Sequence, residues 1–594
     1  MELIVKRIEN LRKAMMRLGV SAVIVPGTDP HASEYIADCW KDRVWISGFT
    51  GSAGTVVVGL QRAGLWTDSR YFLQGETQLA GTGIDLMKMG LPDTHDINSW
   101  LKLQLTSGEK VAVNPQMFSV NAYAAMKSDL AKSGIELVSM DLMTDVWTDR
   151  PALPLNPCFV FDVKYAGQSV ADKLEVLRAE MKKMSADVII LSMLDEIAWL
   201  FNIRGNDVNY NPVAISYAVV ELDKATLFIA PEKTDASVRA QLRDEGVVVA
   251  PYTLIYDAIR TLPATAKVLF DGSKLNQALY EAIPQGCGIC NAISPVAKLK
   301  SIKNATEVEG FRKAMVKDGV ALTRFYKWLE ENVHTGELTE TSIDVELTRF
   351  RESMDDCMGP SFGSIAGYAG HGAIVHYSAT EESAATLKPD GIFLLDSGGQ
   401  YLDGTTDITR TISLGNPTAQ QKADFSLVLK GNIALSNAIF PINTRGSQLD
   451  VLARQPLWNA GINYGHGTGH GVGHFLNVHE GPQSIRAEEN SVVLEAGMVM
   501  SNEPAMYRTG EYGIRTENMI HIIPAYETEY GKFLRFETLT LCYIDQSLMD
   551  FDVLDKADRQ WIDDYHRRVY EQLSPYLTAE EKNWLADKCR PCMG

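Results

Sequence analysis

Four histidines, His466, His470, His474 and His479, fall in the glycine-studded stretch HGTGHGVGHFLNVHEGP at 466–482. Imidazoles grouped this closely are the raw material of a metal site or a proton relay. On a helix the first three would share a face. Gly467, Gly469, Gly471 and Gly473 alternate through that span, however, and each weakens a helix by about 1 kcal/mol relative to Ala. The stretch is therefore expected to be extended or looped, with successive side chains on opposite sides. The four rings should not all converge on one ion, and a bound metal needs further ligands from elsewhere.

Seven of the eleven histidines lie between His371 and His521, and the acids of the same region can supply those ligands. In GIFLLDSGGQYLDGTTDITRTISLG (391–415) an apolar strand should end at Asp396. A glycine-rich turn follows, and a Thr-rich strand carries Asp407 on the same face as Thr405 and Thr409. Adjacent strands lie about 4.8 Å apart, so two inward carboxylates there suit ions spaced about 3.5–4 Å. The plainer alternative is a turn, where Asp beside Gly is common. In GMVMSNEPAMYRTGEYGIRTENMIHII (497–523) Glu503 follows an apolar strand, and a later strand alternates Arg515, Glu517, Met519 and His521 on one face. Inward charge on an apolar strand is costly unless paired or metal-bound. A buried Glu517–Arg515 ion pair is the structural alternative. Four carboxylates and one imidazole carry charge enough to neutralise two divalent cations, and so oxygen-rich a set favours Mn2+ over Zn2+.

These residues need a scaffold, and its parts are legible. In KNATEVEGFRKAMVKDGVALTRFYKWLEENV, Asn304 caps a helix with Glu307 as reciprocal partner, and Val308, Phe311, Met315, Leu322, Phe325 and Leu329 form its apolar stripe. Upstream, RIENLRKAMMRLGVSAVIVP is echoed by KLEVLRAEMKKMSADVIILS, an amphipathic helix followed by a β-branched strand. Two related α/β domains are expected at 1–150 and 155–300, joined by the proline-rich DRPALPLNP, and a third domain at 301–594. Its helical extension, from about 530, includes RQWIDDYHRRVYEQL with Trp561, Tyr565, Val569 and Leu573 on one face, packing on the third domain or a partner subunit.

At 594 residues, 45% hydrophobic and 22% charged, the chain can fill several cores. A net charge of −19 without a basic tract argues against nucleic acid and anionic membranes as partners. No secretory h-region or membrane-length apolar run is evident, so a cytoplasmic location is expected. Cys287/Cys290 and Cys589/Cys592 form two CxxC pairs far apart in sequence, expected to be ordinary thiols, with a four-cysteine zinc site as the alternative.

Taken together, GFTGSAGTVVV, WTDSRYFLQ, IKNATEVEGFRKA, GAIVHY, LLDSGGQYLDGTTDITRT, GHGTGHGVGHFLNVHEGP, SNEP and YGIRTEN resemble the Xaa-Pro aminopeptidases (aminopeptidase P) of the long three-domain cytosolic type, over nearly the whole chain. The resemblance implies an α/β and α+β architecture: two creatinase-like N-terminal domains, then a catalytic domain of the pita-bread fold. By likeness, Asp396 chelates one metal, Asp407 and Glu517 bridge two, and His470 and Glu503 complete the other. His376 and His479 lie beside the substrate carbonyl and proline, His466 near the substrate pocket, and Arg515 steadies a carboxylate ligand. His474 has no implied role and reads as a loop or surface histidine.

The implied reaction is hydrolysis of the N-terminal Xaa-Pro bond of peptides by a hydroxide shared between two divalent ions, with Glu503 as general base. Mn2+ is the expected metal, with Zn2+ or Co2+ as alternatives, and a homodimer the expected assembly. The nearest rival is a prolidase-type dipeptidase. A non-catalytic binding module of the same fold is more distant, because all five ligands are retained in order.

Overall fold

The computed structural model describes residues 2–592. They divide into two compact units, one of Met1–Phe161, Gln168–Asn209 and Val213–Val296, the other of Asp162–Gly167, Tyr210–Pro212 and Ala297–Gly594.

In the first unit the sequence echo becomes a structural repeat. Strands β1 (Ala22–Pro26), β2 (Thr55–Gly59), β3 (Ala63–Thr67), β4 (Asp85–Lys88), β5 (Lys110–Val113) and β6 (Glu136–Ser139) form a sheet ordered β4-β3-β2-β1-β5-β6. Strands β7 (Val188–Leu191), β8 (Ser216–Glu221), β9 (Ala225–Ile229), β10 (Val247–Ala250), β11 (Lys267–Phe270) and β12 (Gly288–Asn291) repeat the plan as β10-β9-β8-β7-β11-β12. In both, the first strand pairs antiparallel with the second and parallel with the fifth. Strands buried on both faces read as unbroken apolar runs, and AVIV and VIIL are such runs. Helices α1 (Glu2–Leu18) and α2 (Val170–Lys183) bury Ile8, Leu11 and Met15, and Leu174, Leu177 and Met181, at helical spacing.

Helix α3 (Pro295–Ser301) runs into the second unit at Ala297, and the long α4 (Ala305–Asn332) follows. Asn304 and Glu307 close the expected capping box, and every residue of the expected stripe is buried. Helix α5 (Glu340–Glu352) follows, then β13 (Cys357–Pro360) and β14 (Ile365–Tyr368). Next, β15 (Ile392–Ser397) pairs with β18 (Ile408–Ser413), with Asp396 opposite Thr409. Between them β16 (Gly399–Tyr401) and β17 (Gly404–Thr405) fold out to pair with each other, and β16 also with β13. The single hairpin expected from sequence is thus interrupted, and Asp407 sits in the junction before β18. Gly398 permits the exit, because a Cβ there would strike Thr406 O and Ser361 Oγ.

Helices α6 (Ala419–Ser436) and α7 (Gly446–Asn459) come next. A six-stranded sheet ordered β19-β26-β25-β22-β20-β21 is built from β19 (Ile439–Pro441), β20 (Gly469–Gly471), β21 (Glu480–Ile485), β22 (Val499–Asn502), β25 (Asn518–Thr528) and β26 (Gly531–Thr538). Strands β23 (Ala505–Arg508) and β24 (Tyr512–Arg515) form a separate hairpin. Arg515 therefore ends one strand and Asn518 begins another, where one continuous strand was expected. Glu517 leaves the ladder because its N–H donates to Thr409 O at 3.1 Å.

The closing helices α8 (Lys556–Leu573) and α9 (Ala579–Lys588) complete this core. Tyr565, Val569, Leu573 and Leu585 pack in one cluster with Phe325 and Leu329 of α4, and Trp561 stacks on Tyr565 at 5.2 Å. Burial of each such side chain contributes about 1.5–3 kcal/mol. Among the described residues no helix is long and apolar enough to cross a membrane.

Candidate metal centre

Asp407, His470 and Glu517 arrive from three segments, yet each presents a ligand atom within 4.8 Å of the others. Among the described residues no other group of three or more His, Cys, Asp or Glu converges in this way. Both CxxC pairs are free thiols outside it. His470 is on β20, as the alternating glycines require. Its Nδ1 lies 2.9 Å from Gly471 O, to which it donates, so Nε2 faces the acids, 3.4 Å from Asp407 Oδ2 and 3.4 Å from Glu503 Oε1. This backbone bond fixes the tautomer a metal-binding imidazole needs. Glu503, just past β22, is held by its own N–H to Thr468 O and by the Ser501 hydroxyl, which donates at 3.2 Å.

Arg515 organises the far side. It donates to Asp396 Oδ2 at 2.6 Å, Thr409 Oγ1 at 3.0 Å and the Tyr507 hydroxyl at 2.6 Å, while Thr409 Oγ1 donates to Glu517 Oε2 at 2.7 Å. One guanidinium thus sets two of the five candidate ligands, Glu517 through Thr409. The alternative weighed from sequence, an Arg515–Glu517 pair, is replaced by Arg515–Asp396.

The electrostatics fit divalent cations. Burial first, then neighbouring acids, raises the proton affinity of Glu517 well above the carboxylate norm, and burial is likewise the main cause for Asp396 and Glu503. Burial opposes protonation of His470, but Asp407 and Glu503 outweigh it and lift its pKa to about 9. The cluster thus draws positive charge to where a cation would sit. Asp396 Oδ1 is buried without a hydrogen-bond partner, as expected of an oxygen reserved for a ligand. Four carboxylates, one of them with an orphaned oxygen, and one imidazole suit two hard or borderline divalent ions.

Beside the cluster His466 is pushed down to about 3, by burial and then by the charge of Arg515, with a smaller contribution from half-buried His376. His466 Nδ1 donates to Gly467 O at 2.7 Å, so Nε2 accepts from the Tyr507 hydroxyl at 2.8 Å. A directed chain results, Arg515 to Tyr507 to neutral His466. Exposed His479 sets its ring edge-on against His470, with centroids 4.3 Å apart. Tyr507 escaped the sequence reading. Its signal was four-residue spacing from Glu503 within NEPAMY, weak without the β23–β24 hairpin.

Two expectations need correction. His474 is no surface residue: it is 2% exposed and packs edge-on against Phe311 of α4 at 5.3 Å. Gly310 makes room for it, since a Cβ there would lie 2.7 Å from His474 Nε2. His521, read as sharing a face with Glu517, lies opposite Glu537 in the β25–β26 ladder and joins it at 3.0 Å. Beneath the site, Arg410 is fully buried. It donates to the carbonyls of Thr409, Glu517, Cys542 and Tyr543, to Asn518 Oδ1 and to the Tyr565 hydroxyl, at 2.6–3.0 Å.

Comparison with known proteins bears on this arrangement. Residues 7–146 and 149–307 each match a creatinase/prolidase N-terminal domain, 309–524 match metallopeptidase family M24, and 532–592 match the C-terminal region of peptidase M24. A probable Xaa-Pro aminopeptidase P from Laccaria bicolor is 42% identical over 99% of this chain and 93% of its own. Aminopeptidase P2 from Arabidopsis thaliana is 40% identical over 97% and 86%. The crystal structure of an X-prolyl aminopeptidase from Caenorhabditis elegans, described as a cytosolic enzyme with a di-nuclear active site, matches with a TM-score of 0.94 at 35% identity over 99% of both chains. An Xaa-Pro dipeptidase from Bacillus anthracis, at 23% identity and a TM-score of 0.51 over 63% of this chain, shares the fold alone. The resemblance read from the motifs is borne out, and with it two creatinase-type domains ahead of a pita-bread catalytic domain. On likeness of this extent, the chain belongs to the Xaa-Pro aminopeptidase P family of M24 metallopeptidases.

Proposed function

We propose that this chain is a metal-dependent aminopeptidase that hydrolyses the N-terminal Xaa-Pro bond of peptides. The observation that supports the reading is the convergence of Asp407, His470 and Glu517, with Glu503 3.4 Å from His470 and Asp396 Oδ1 buried without a hydrogen-bond partner. In it Asp396, Asp407, His470, Glu503 and Glu517 would together hold two divalent ions. Bound divalent ions supply Lewis acidity, lowering the pKa of water and polarising the carbonyl. Mn2+ is the metal the oxygen-rich set favours.

The chain's own groups do the rest. Glu503 takes the proton of the attacking water and returns it to the departing proline nitrogen. His376 and His479 donate hydrogen bonds to the substrate carbonyl and backbone. Neutral His466 has its Nε2 filled by Tyr507 and acts as a fixed wall of the pocket. Arg515 keeps Asp396 aimed. An Xaa-Pro amide has no N–H, so a site that asks no donor of the substrate nitrogen accepts it.

We read the chain as three domains, 1–150, 155–300 and 301–594, working in the cytoplasm as a homodimer. The test is release of the first residue from Arg-Pro-Pro-Gly by metal-stripped protein titrated with Mn2+, Zn2+ or Co2+, beside Asp407→Ala. Activity that returns with metal and is missing from the variant is the expected result. Cleavage of Gly-Pro with Gly-Pro-Pro untouched would replace the reading by a dipeptidase.

A further inference from the structure

Outside the metal centre, a buried ionic cluster occupies the start of the catalytic unit. Glu480, the first residue of β21, receives Lys300 Nζ on Oε2 at 2.5 Å and Lys303 Nζ on Oε1 at 2.5 Å, and Lys303 Nζ also donates to Lys300 O at 2.8 Å. Lys300, Lys303 and Glu480 are 1%, 5% and 3% exposed. Glu307, the reciprocal cap of α4, adds a second negative charge acting on Lys303. Burying ammonium groups this completely is costly and persists only where partners are arranged to meet it.

The location gives the arrangement a purpose. Glu480 directly follows His479, and in the β20–β21 ladder it lies opposite Gly471, the residue after His470. The ladder carries a register shift at that point. The turn leading into Glu480 is closed by the Gly473 N–H on Asn477 O at 2.9 Å. His479 is exposed and sets its ring edge-on against His470, while Glu480, the next residue in the chain, is buried, so the strand begins at a fixed point directly behind the imidazole.

We infer that Glu480, gripped by Lys300 and Lys303, is a positioning residue that fixes His479 against His470 and so sets the substrate contact of the Xaa-Pro reaction. This assigns a task to the lysines of KLKSIKNATEVEG, which bring the segment joining α3 to α4 onto the histidine turn. The inference rests on the reading of His479 as a substrate contact.

The experiment is a double-mutant cycle of Lys303→Met with His479→Ala in the full-length protein. It is read by kcat and KM on Arg-Pro-Pro-Gly in the Mn2+-loaded enzyme, and by calorimetric binding of the same peptide to metal-stripped protein. Metal content and Tm are followed in parallel. Lys303→Met is expected to lower kcat/KM about tenfold, less than the roughly hundredfold cost of misplacing a reacting group by about 1 Å. It should also weaken peptide binding, with two metals per chain retained, and Lys303→Arg should restore most of the loss. In the His479→Ala background the same substitution should change kcat/KM less than twofold. An equal loss in both backgrounds, or none in either, overturns the clamp. If His479→Ala itself leaves kcat/KM and binding unchanged, the substrate-contact reading falls and the clamp with it, a result distinct from additivity. Should Lys303→Met fail to fold, Lys300→Met removes the other ammonium and is judged by the same criteria.

Discussion

Replacing Glu517 by Gln should make the metal-free protein more stable while damaging the metal site. Glu517 lies near Asp407, Glu503 and Asp396, and each disfavours its charge. Two unit charges at the 4.8 Å limit found for Glu517 and Asp407 repel by about 3.5 kcal/mol at an effective dielectric constant of about 20. Against this stands the lost attraction of Arg515, on which Glu517 also acts. The Thr409 hydroxyl bond survives, since an amide oxygen still accepts it. A net gain of about 1–3 kcal/mol follows, or about 2–12 °C in Tm at roughly 2–4 °C per kcal/mol for a domain of this class. The assay is thermal unfolding in chelator at pH 7.5, repeated with Mn2+. Wild-type protein should gain about 2.7 kcal/mol per ion at a hundred times the dissociation constant, and the variant much less, so the order of stabilities reverses. A metal-free Glu517→Gln protein that melts below wild type would refute the charge argument.

Arg515→Lys keeps a cation but cannot reach Asp396, Thr409 and Tyr507 together, so metal affinity should fall about 10–100-fold by metal titration, with the fold intact. Burial holds His31 down to about 3 and His566 to about 4, so below the ordinary value near 6.5 the unfolded chain takes up protons first. Their contribution is complete above pH 6.5 and falls with pH, by about 2 kcal/mol each between pH 6.5 and 5; His566→Gln should flatten that slope in calorimetry. Gly310→Ala should destabilise by about 1–3 kcal/mol, because the added methyl meets His474 and Asp403 O, and denaturant melts with an unchanged midpoint would contradict it.

How much of this was legible depended on how local each cause was. The α4 cap and stripe were readable because Asn304, Glu307 and the apolar positions lie within a few turns of each other. The repeated sheets were readable because a strand buried on both faces announces itself as a β-branched run. The two active-site hairpins were only half readable. The folding-out of 399–405 and the break at 516–517 depend on distant partners, Ser361 beside Gly398 and Thr409 O for Glu517, which no period-two pattern encodes. His521 was grouped with Glu517 although its partner, Glu537, lies on the neighbouring strand. His474 was misjudged because a histidine among glycines gives no sign of the helix that will cover it. Arg515 was recognised as a support for a carboxylate, but its choice of Asp396 needed the β15–β18 register.

Arg410 gives the C-terminal helices a significance beyond packing. Its buried charge is met by carbonyl dipoles, an amide and the Tyr565 hydroxyl of α8, at distances of 2.6–3.0 Å. A hydrogen bond to a charged group contributes about 1.5–3 kcal/mol. The same guanidinium grips the carbonyls of Thr409 and Glu517, so the helix some 150 residues downstream is tied to the backbone of a candidate metal ligand. A protease nick, fusion or frameshift in α8 would then register first as lost metal, and a screen for activity alone would mistake a remote lesion for an active-site one.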